Sequence, residues 1–369
     1  MKRSRKEPLR TVPAGVMHVP VTPFKNDLSV DYKTFEKLID WHVRQNPSSL
    51  CVILHIAESV SLTLEEHKKL IDISVKVTAG RVPVIANVSM AGTDQAVALA
   101  RHSKKVGADA VICISPYYWP VPEEALFDHF MRVATASDLP FMIYNSPIFQ
   151  GVSLSPQFLV RLMKKLPNFI GEKEASHNFE YFIEARRQTQ AVRPEFGLIL
   201  GVEYIIPSVS MGGVGSMSIA GGVVPALMQR LYDLCADRRY DEALPLQDKA
   251  SHYWQLFKPE YPAPIKAAMA MMGRPVGPVR GRVTRIDATP FAGLHAGLAG
   301  DGTLIAADGW AGVGATFETP MQGDAAIETL QAQRAHEGNL ARLARLLAQP
   351  PDVHPLDCFD ALRCVARDR

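Results

Sequence analysis

Lys173 closes an apolar run in the stretch Phe169-Ile170-Gly171-Glu172-Lys173-Glu174-Ala175-Ser176. A lysine at the carboxyl end of a buried strand loses hydration, which disfavours the ammonium form and lowers the pKa. The neutral amine can attack a ketone and form a Schiff base. Most lysines are solvated surface charges, so the case rests on what accompanies this one. Ser115-Pro116-Tyr117-Tyr118 and Tyr144-Asn145-Ser146-Pro147 also close apolar runs. A phenol beside the amine can shuttle the protons of carbinolamine formation and dehydration.

Such groups meet only if strand ends converge. Short apolar runs at 16–21, 50–54, 82–86, 110–114, 140–144, 169–173, 197–200 and 214–219 read as strands. Each is followed by a helical pattern: 32–45, 64–79, from about 93, from about 123, from 156, 178–190, 203–211 and 226–235. Thr63 and Glu66 form a capping box before the second helix. Ser155 caps another, with Pro156 at its first position. Near-continuous apolar strands alternating with helices imply a parallel sheet covered by helices. Eight such units over about two hundred residues suit a closed (β/α)8 TIM barrel, whose active sites lie at the carboxyl ends of the strands. The fold class is therefore α/β, a barrel followed by C-terminal helices and an irregular extension. Residues 1–12 read as a basic flexible tail, 13–236 as the catalytic barrel, 237–280 as a helical segment and 281–369 as an extension of unknown fold.

The bulk numbers narrow the function. Of 369 residues 47% are hydrophobic, which supports a sizeable core, and a net charge of +2 leaves no electrostatic footprint for nucleic acid. The basic start Met1-Lys2-Arg3-Ser4-Arg5-Lys6 is followed by no long apolar segment, so neither a signal peptide nor a membrane anchor is expected. The five cysteines, Cys51, Cys113, Cys235, Cys358 and Cys364, form no C-x-x-C pair. A reduced, cytoplasmic protein without disulfides follows. No H-x-H or H-E-x-x-H pair offers a metal site, and His18, His102, His129 and His177 are scattered as packing or surface residues. No G-x-G-x-x-G follows the first strand, which argues against dinucleotide binding.

Four segments together resemble the dihydrodipicolinate synthase / N-acetylneuraminate lyase family, the pyruvate-type class I aldolases, over about residues 12–280. They are Gly15-Val16-Met17-His18-Val19-Pro20-Val21-Thr22-Pro23-Phe24, Ser115 to Pro120, Tyr144-Asn145-Ser146-Pro147 with Gly151, and Gly171 to Ser176. The spacings of 26 residues from Tyr118 to Tyr144 and 29 from Tyr144 to Lys173 match as well. The resemblance implies that Lys173 forms the Schiff base with pyruvate or another 2-keto acid and that Tyr144 shuttles protons. It implies that Tyr118 completes a relay in a neighbouring subunit, hence a homo-oligomer, with a dimer of dimers the usual form. Gly201 and Met217 would line the pocket. Tyr117 is better read as ordinary packing. No cofactor is implied.

Three departures stand against that background. Where the family carries Gly-Thr-Thr-Gly-Glu or Gly-Ser-Thr-Gly-Glu after the second strand, this chain has Leu54-His55-Ile56-Ala57-Glu58. Both hydroxyls are gone. His55 can donate to a substrate carboxylate or act as a base, whereas Ile56 can do neither. Phe149 stands where the lysine-biosynthesis members carry an arginine for the second substrate's carboxylate. An uncharged ring there argues against aspartate semialdehyde and suits an aromatic, apolar or sugar-derived aldehyde. Glu172 points to the opposite face from Lys173, and a buried Arg or Lys partner is expected for it. The leading expectation is a lyase performing aldol cleavage or condensation through the lysine Schiff base, distinct from the lysine-biosynthesis enzyme. Two alternatives are a dehydratase of 2-keto-3-deoxy sugar acids by the same iminium, and a non-catalytic ligand-binding paralogue.

Overall fold

Strands that are apolar along their whole length need cover on both faces, and the chain supplies it with a helix after nearly every strand. The structure, a computed structural model, describes residues 8–118, 120–258 and 261–281. Eight parallel strands close into a barrel in sequence order. They are β1 (Gly15–His18), β2 (Ser49–Val52), β3 (Val84–Asn87), β4 (Ala110–Ile114), β5 (Phe141–Asn145), β6 (Phe169–Glu174), β7 (Gly197–Gly201) and β8 (Gly215–Ser218). Around them run α1 (Tyr32–Arg44), α2 (Leu64–Thr78), α3 (Thr93–Val106), α4 (Glu123–Ser137), α5 (Pro147–Gln150), α6 (Pro156–Met163), α7 (Phe179–Val192), α8 (Ile205–Ser210) and α9 (Pro225–Ala236). The expected (β/α)8 barrel is thus the observed one.

Local chemistry sets the helix starts. Thr63 accepts from Glu66 N while the Glu66 carboxylate accepts from Thr63 N, the reciprocal capping box. Ser155 caps α6 with Pro156 at its first position. Between barrel and helices, Phe169 meets Phe196 at 4.9 Å and Phe141 at 5.9 Å between ring centroids. Such pairs add about 0.5–1.5 kcal/mol each beyond the area they bury.

Two strands end two or three residues sooner than their apolar runs. The run 50–54 pairs only to Val52, because Ile53 turns out at φ 63. The run 16–21 pairs only to His18. Val202, just past β7, likewise sits at φ 61. A β-branched residue in that region costs about 1–3 kcal/mol and persists where its surroundings hold it. Asn87 Nδ2 donates to Ile53 O at 2.7 Å, and Ser216 Oγ donates to Val202 O. Both strained turns launch loops onto the carboxyl end of the barrel.

The described residues fall in two compact units. One holds the barrel through Trp254 together with Val276–Gly281; the other holds Gln255–Pro275. Helix α10 (Tyr240–Phe257) follows α9, and α11 (Ala263–Met271) lies in the second unit. The expected extension lies outside the described residues except for Gly281, as do Cys358 and Cys364. Cys51, Cys113 and Cys235 are free and buried. Among the described residues no helix is long and apolar enough to cross a membrane.

Candidate active site

Register brings the central pair together. Tyr144 of β5 lies opposite Lys173 of β6, and Lys173 opposite Ile199 of β7. Parallel neighbours in register, with strands roughly 4.8 Å apart, send their side chains to the same face of the sheet. Lys173 and Tyr144 are each only 3% exposed. The lysine Nζ stands 3.8 Å from the centroid of the tyrosine ring.

Burial lowers the Lys173 amine from 10.5 to about 8. That drop is worth about 3 kcal/mol against the ammonium form. Two neighbours oppose it, Cys51 and Glu203. The Cys51 thiol is itself pushed up to about 12 by burial, so it stays neutral near pH 7 and leaves Glu203 as the anion facing the lysine. Gly201, at the end of β7, lets the lysine stem approach. A Cβ there would sit 3.2 Å from Lys173 Cε and 3.0 Å from Ala175 Cβ. Met217 of β8 is buried opposite Gly201.

The loop after β2 adds the imidazole. His55 opens a 3-10 turn, His55–Ala57, in which Ile56 is buried. Its Nδ1 lies 3.3 Å from the Tyr144 hydroxyl. Burial first, and the Lys173 ammonium second, hold His55 well below its ordinary value. Burial raises the Tyr144 phenol, outweighing a hydrogen bond from Ser146. A neutral imidazole and a protonated phenol fit the phenol donating to Nδ1. The Phe149 ring, half-exposed on α5, lies 5.0 Å from the His55 ring. Lys173, Tyr144, His55 and Phe149 therefore form one continuous line from the barrel interior to its mouth.

Tyr118 does not join that line. It is 86% exposed, and it borders a separate cavity of about 520 Å³ with Ala91, Gly92, Thr93 and His129. Tyr117 is half-buried, and burial raises its phenol. The four histidines expected as packing or surface residues make other contacts. His18 Nδ1 meets His42 Nδ1 at 3.1 Å, His102 pairs with Asp72 at 2.6 Å, His129 lies between Thr93 and Cys113, and His177 packs edge-on to Tyr204. No group of three or more His, Cys, Asp or Glu side chains among the described residues could hold a metal ion.

The expectation for Glu172 needs correction. Its partner among the described residues is the Tyr181 hydroxyl, which donates to Oε1 at 2.7 Å, rather than a cation. The charge is relieved by protonation instead: burial, then Glu174 nearby, raises Glu172 to about 8. Glu203 was not singled out in the sequence. It is fully buried, its Oε1 accepts from Ser218 Oγ at 3.0 Å and Ala220 N at 2.6 Å, and burial raises it to about 7. Its Oε2 has no hydrogen-bond partner among the described residues. The signal that marked Lys173, a charged residue just past an apolar run, marks Glu203 too, but a glutamate at the start of a helical pattern passes for a helix-start residue.

The (β/α)8 barrel thus sets a desolvated lysine and a phenol side by side near adjacent strand ends. The chain belongs to the dihydrodipicolinate synthetase family, whose model matches residues 12–296. It is 34% identical over 281 residues to a 4-hydroxy-tetrahydrodipicolinate synthase of Gluconacetobacter diazotrophicus, covering 75% of this chain and 92% of that one. Among solved structures it resembles a dihydrodipicolinate synthase from Cyanidioschyzon merolae with lysine bound, at 30% identity and TM-score 0.75, covering 79% of this chain and 99% of that one. It also resembles YagE, a prophage protein of that family from E. coli K12 in complex with pyruvate, at 25% identity and TM-score 0.74, covering 78% and 98%.

Proposed function

We propose that the protein is a carbon–carbon lyase that works through a Schiff base between Lys173 and pyruvate or a related 2-keto acid. The observation that carries this reading is the buried Lys173 Nζ, 3.8 Å over the Tyr144 ring and lowered to about 8. The pyruvate in the YagE complex supports it. The neutral amine attacks the keto carbon. Tyr144 moves a proton from nitrogen to the carbinolamine oxygen and then gives that hydroxyl its own proton, so water leaves and an iminium remains beside a phenolate. That iminium draws in the electron pair of the neighbouring carbon–carbon bond. The 4-hydroxyl proton passes to the Tyr144 oxygen and the aldehyde leaves. The enamine is reprotonated, and hydrolysis returns pyruvate and the free amine. The iminium is the electron sink, so the reaction calls on no other cofactor.

His55 binds the keto acid's carboxylate at the place of the missing hydroxyls, beside Ile56, and Gly201 and Met217 wall the pocket. Phe149 faces the second substrate. Its ring beside His55 favours an apolar, aromatic or sugar-derived aldehyde over a dicarboxylate-forming one, so this function differs from that of the synthases the chain resembles. Tyr118, 86% exposed, completes the site of a second copy in a homo-oligomer.

Glu203 favours a second reading. Once the iminium has lost a C3 proton and become an enamine, a buried carboxyl near 7 that faces the lysine can protonate a departing 4-hydroxyl, so that a 2-keto-3-deoxy acid loses water instead of cleaving. A panel of 4-hydroxy-2-keto and 2-keto-3-deoxy acids separates the two. Release of pyruvate and an aldehyde marks the lyase; loss of water with the carbon chain intact marks the dehydratase. Binding of pyruvate without turnover of any member would mark a ligand-binding paralogue.

A further inference from the structure

The segment Val276–Gly281 belongs to the barrel's compact unit although it follows α11 in sequence. It crosses the loops after β1 and β2. Phe24 N donates to Val276 O at 3.1 Å. Gly277 at φ 74 is required there, since a Cβ would fall 1.8 Å from Phe24 O. Arg280 then reaches both loops at once. Its guanidinium lies 4.4 Å over the Phe24 ring, Nε donates to Leu28 O at 2.8 Å and Nη1 to Ser61 O at 3.2 Å. Nη1 and Nη2 grip the two oxygens of Glu66 at 2.6 and 2.8 Å. The pair is mostly buried, with side-chain exposures of 18% and 20%, so the fork is shielded from solvent and salt.

Glu58 is the connection to the site. It is 5% exposed, adopts the left-handed conformation at φ 56 and ψ 40, and ends the turn that begins with His55. Its own amide donates to His55 O at 2.9 Å. One carboxylate oxygen, Oε2, accepts from Arg280 N at 2.7 Å and Gly281 N at 2.8 Å. Thr22 Oγ1 donates to Ala57 O at 2.7 Å, tying the same turn to the β1 loop. The turn carrying His55 has lost the glycines and hydroxyls of its relatives' motif, and this network is what fixes its backbone.

We infer that Arg280 and Glu58 form a clasp that positions His55 against Tyr144, so that residues 276–281 set the competence of a site far away in sequence. Arg280 is a positioning residue; it acts through the His55 turn. Its effect on pyruvate rests on the Schiff-base reading, whereas its effect on the turn does not. Two measurements therefore belong together. In hydrogen–deuterium exchange, R280A speeds exchange at the amides of Ala57, Glu58 and Ser61 by about tenfold or more, while E58Q, which keeps an accepting oxygen, leaves them near the unsubstituted protein. In cyanoborohydride trapping with pyruvate, R280A slows adduct formation by about tenfold or more, because a small misplacement at a reacting centre is costly. In a His55→Ala background the same change slows it less than twofold, since the two residues act as one unit. R280K, which keeps charge but loses the fork, behaves like R280A and serves if R280A fails to fold. Unchanged exchange at those amides in R280K overturns the clasp whatever pyruvate does. An equal loss of trapping with and without His55 overturns its action through the imidazole. Absence of an adduct in the unsubstituted protein overturns the Schiff-base reading and leaves the exchange result to decide the clasp.

Discussion

The state of the Lys173 amine sets how fast it can react near neutral pH. At pH 7 an ordinary lysine at 10.5 is neutral in about 0.03% of molecules, and one at about 8 in about 9%, a gain of roughly 300-fold. The gain comes from burial, opposed by the Glu203 carboxylate. The initial rate of pyruvate adduct formation, read by cyanoborohydride trapping at low pyruvate from pH 6 to 10, should therefore rise about tenfold from pH 6 to 7 and level off above about 8. Glu203→Gln is the perturbation that tests the cause. Removing an anion that favours the ammonium lowers the lysine further, so the midpoint of the profile moves to lower pH. A rate still climbing tenfold between pH 9 and 10 would refute the desolvated lysine. A midpoint that rises in Glu203→Gln would refute the placement of that carboxylate.

Two further outcomes follow from the same neighbourhood. Tyr144→Phe removes the proton shuttle and the contact to His55 but leaves the ring under Lys173; adduct formation falls by about 10²–10⁴ with little change in melting temperature, and an unchanged rate would contradict the role. Glu172 is raised to about 8, so between its ordinary value of 4.5 and about 8 the folded state holds a proton that the unfolded state has lost. Stability contributed by this group therefore falls as pH rises through that window. Glu172→Gln removes the fall. Urea denaturation at pH 5 and pH 8.5 should show the variant gaining on the unsubstituted protein by a few kcal/mol, at most about 1.4 per pH unit. A pH-independent difference would show Glu172 to be ionised in the fold.

The barrel was legible because parallel strands are buried on both faces and so leave unbroken apolar runs. Phe169, Ala110 and Ile114 mark strand termini in the sequence and in the fold alike. The runs after Val52 and His18 misled by a few residues, since an apolar side chain does not reveal that Ile53 has turned to positive φ. The juxtaposition of Lys173 and Tyr144 was legible because each sits near the end of an apolar run that became a strand. The site was not legible where the partner comes from elsewhere. Tyr181 rather than a cation meets Glu172, because a buried carboxyl can be neutralised by its own proton as well as by a charge. The bonds from Arg280 and Gly281 to Glu58 span 222 and 223 residues, and nothing local announces them. Glu203 was hidden by its second identity as a residue at a helix start.

The most direct measurement is borohydride reduction in the presence of saturating pyruvate at pH 8, followed by peptide mass spectrometry. The account predicts one reduced pyruvyl adduct per chain, on Lys173, and none in Lys173→Arg. An adduct on another lysine, or an unmodified Lys173 after saturating pyruvate and reductant, would contradict it.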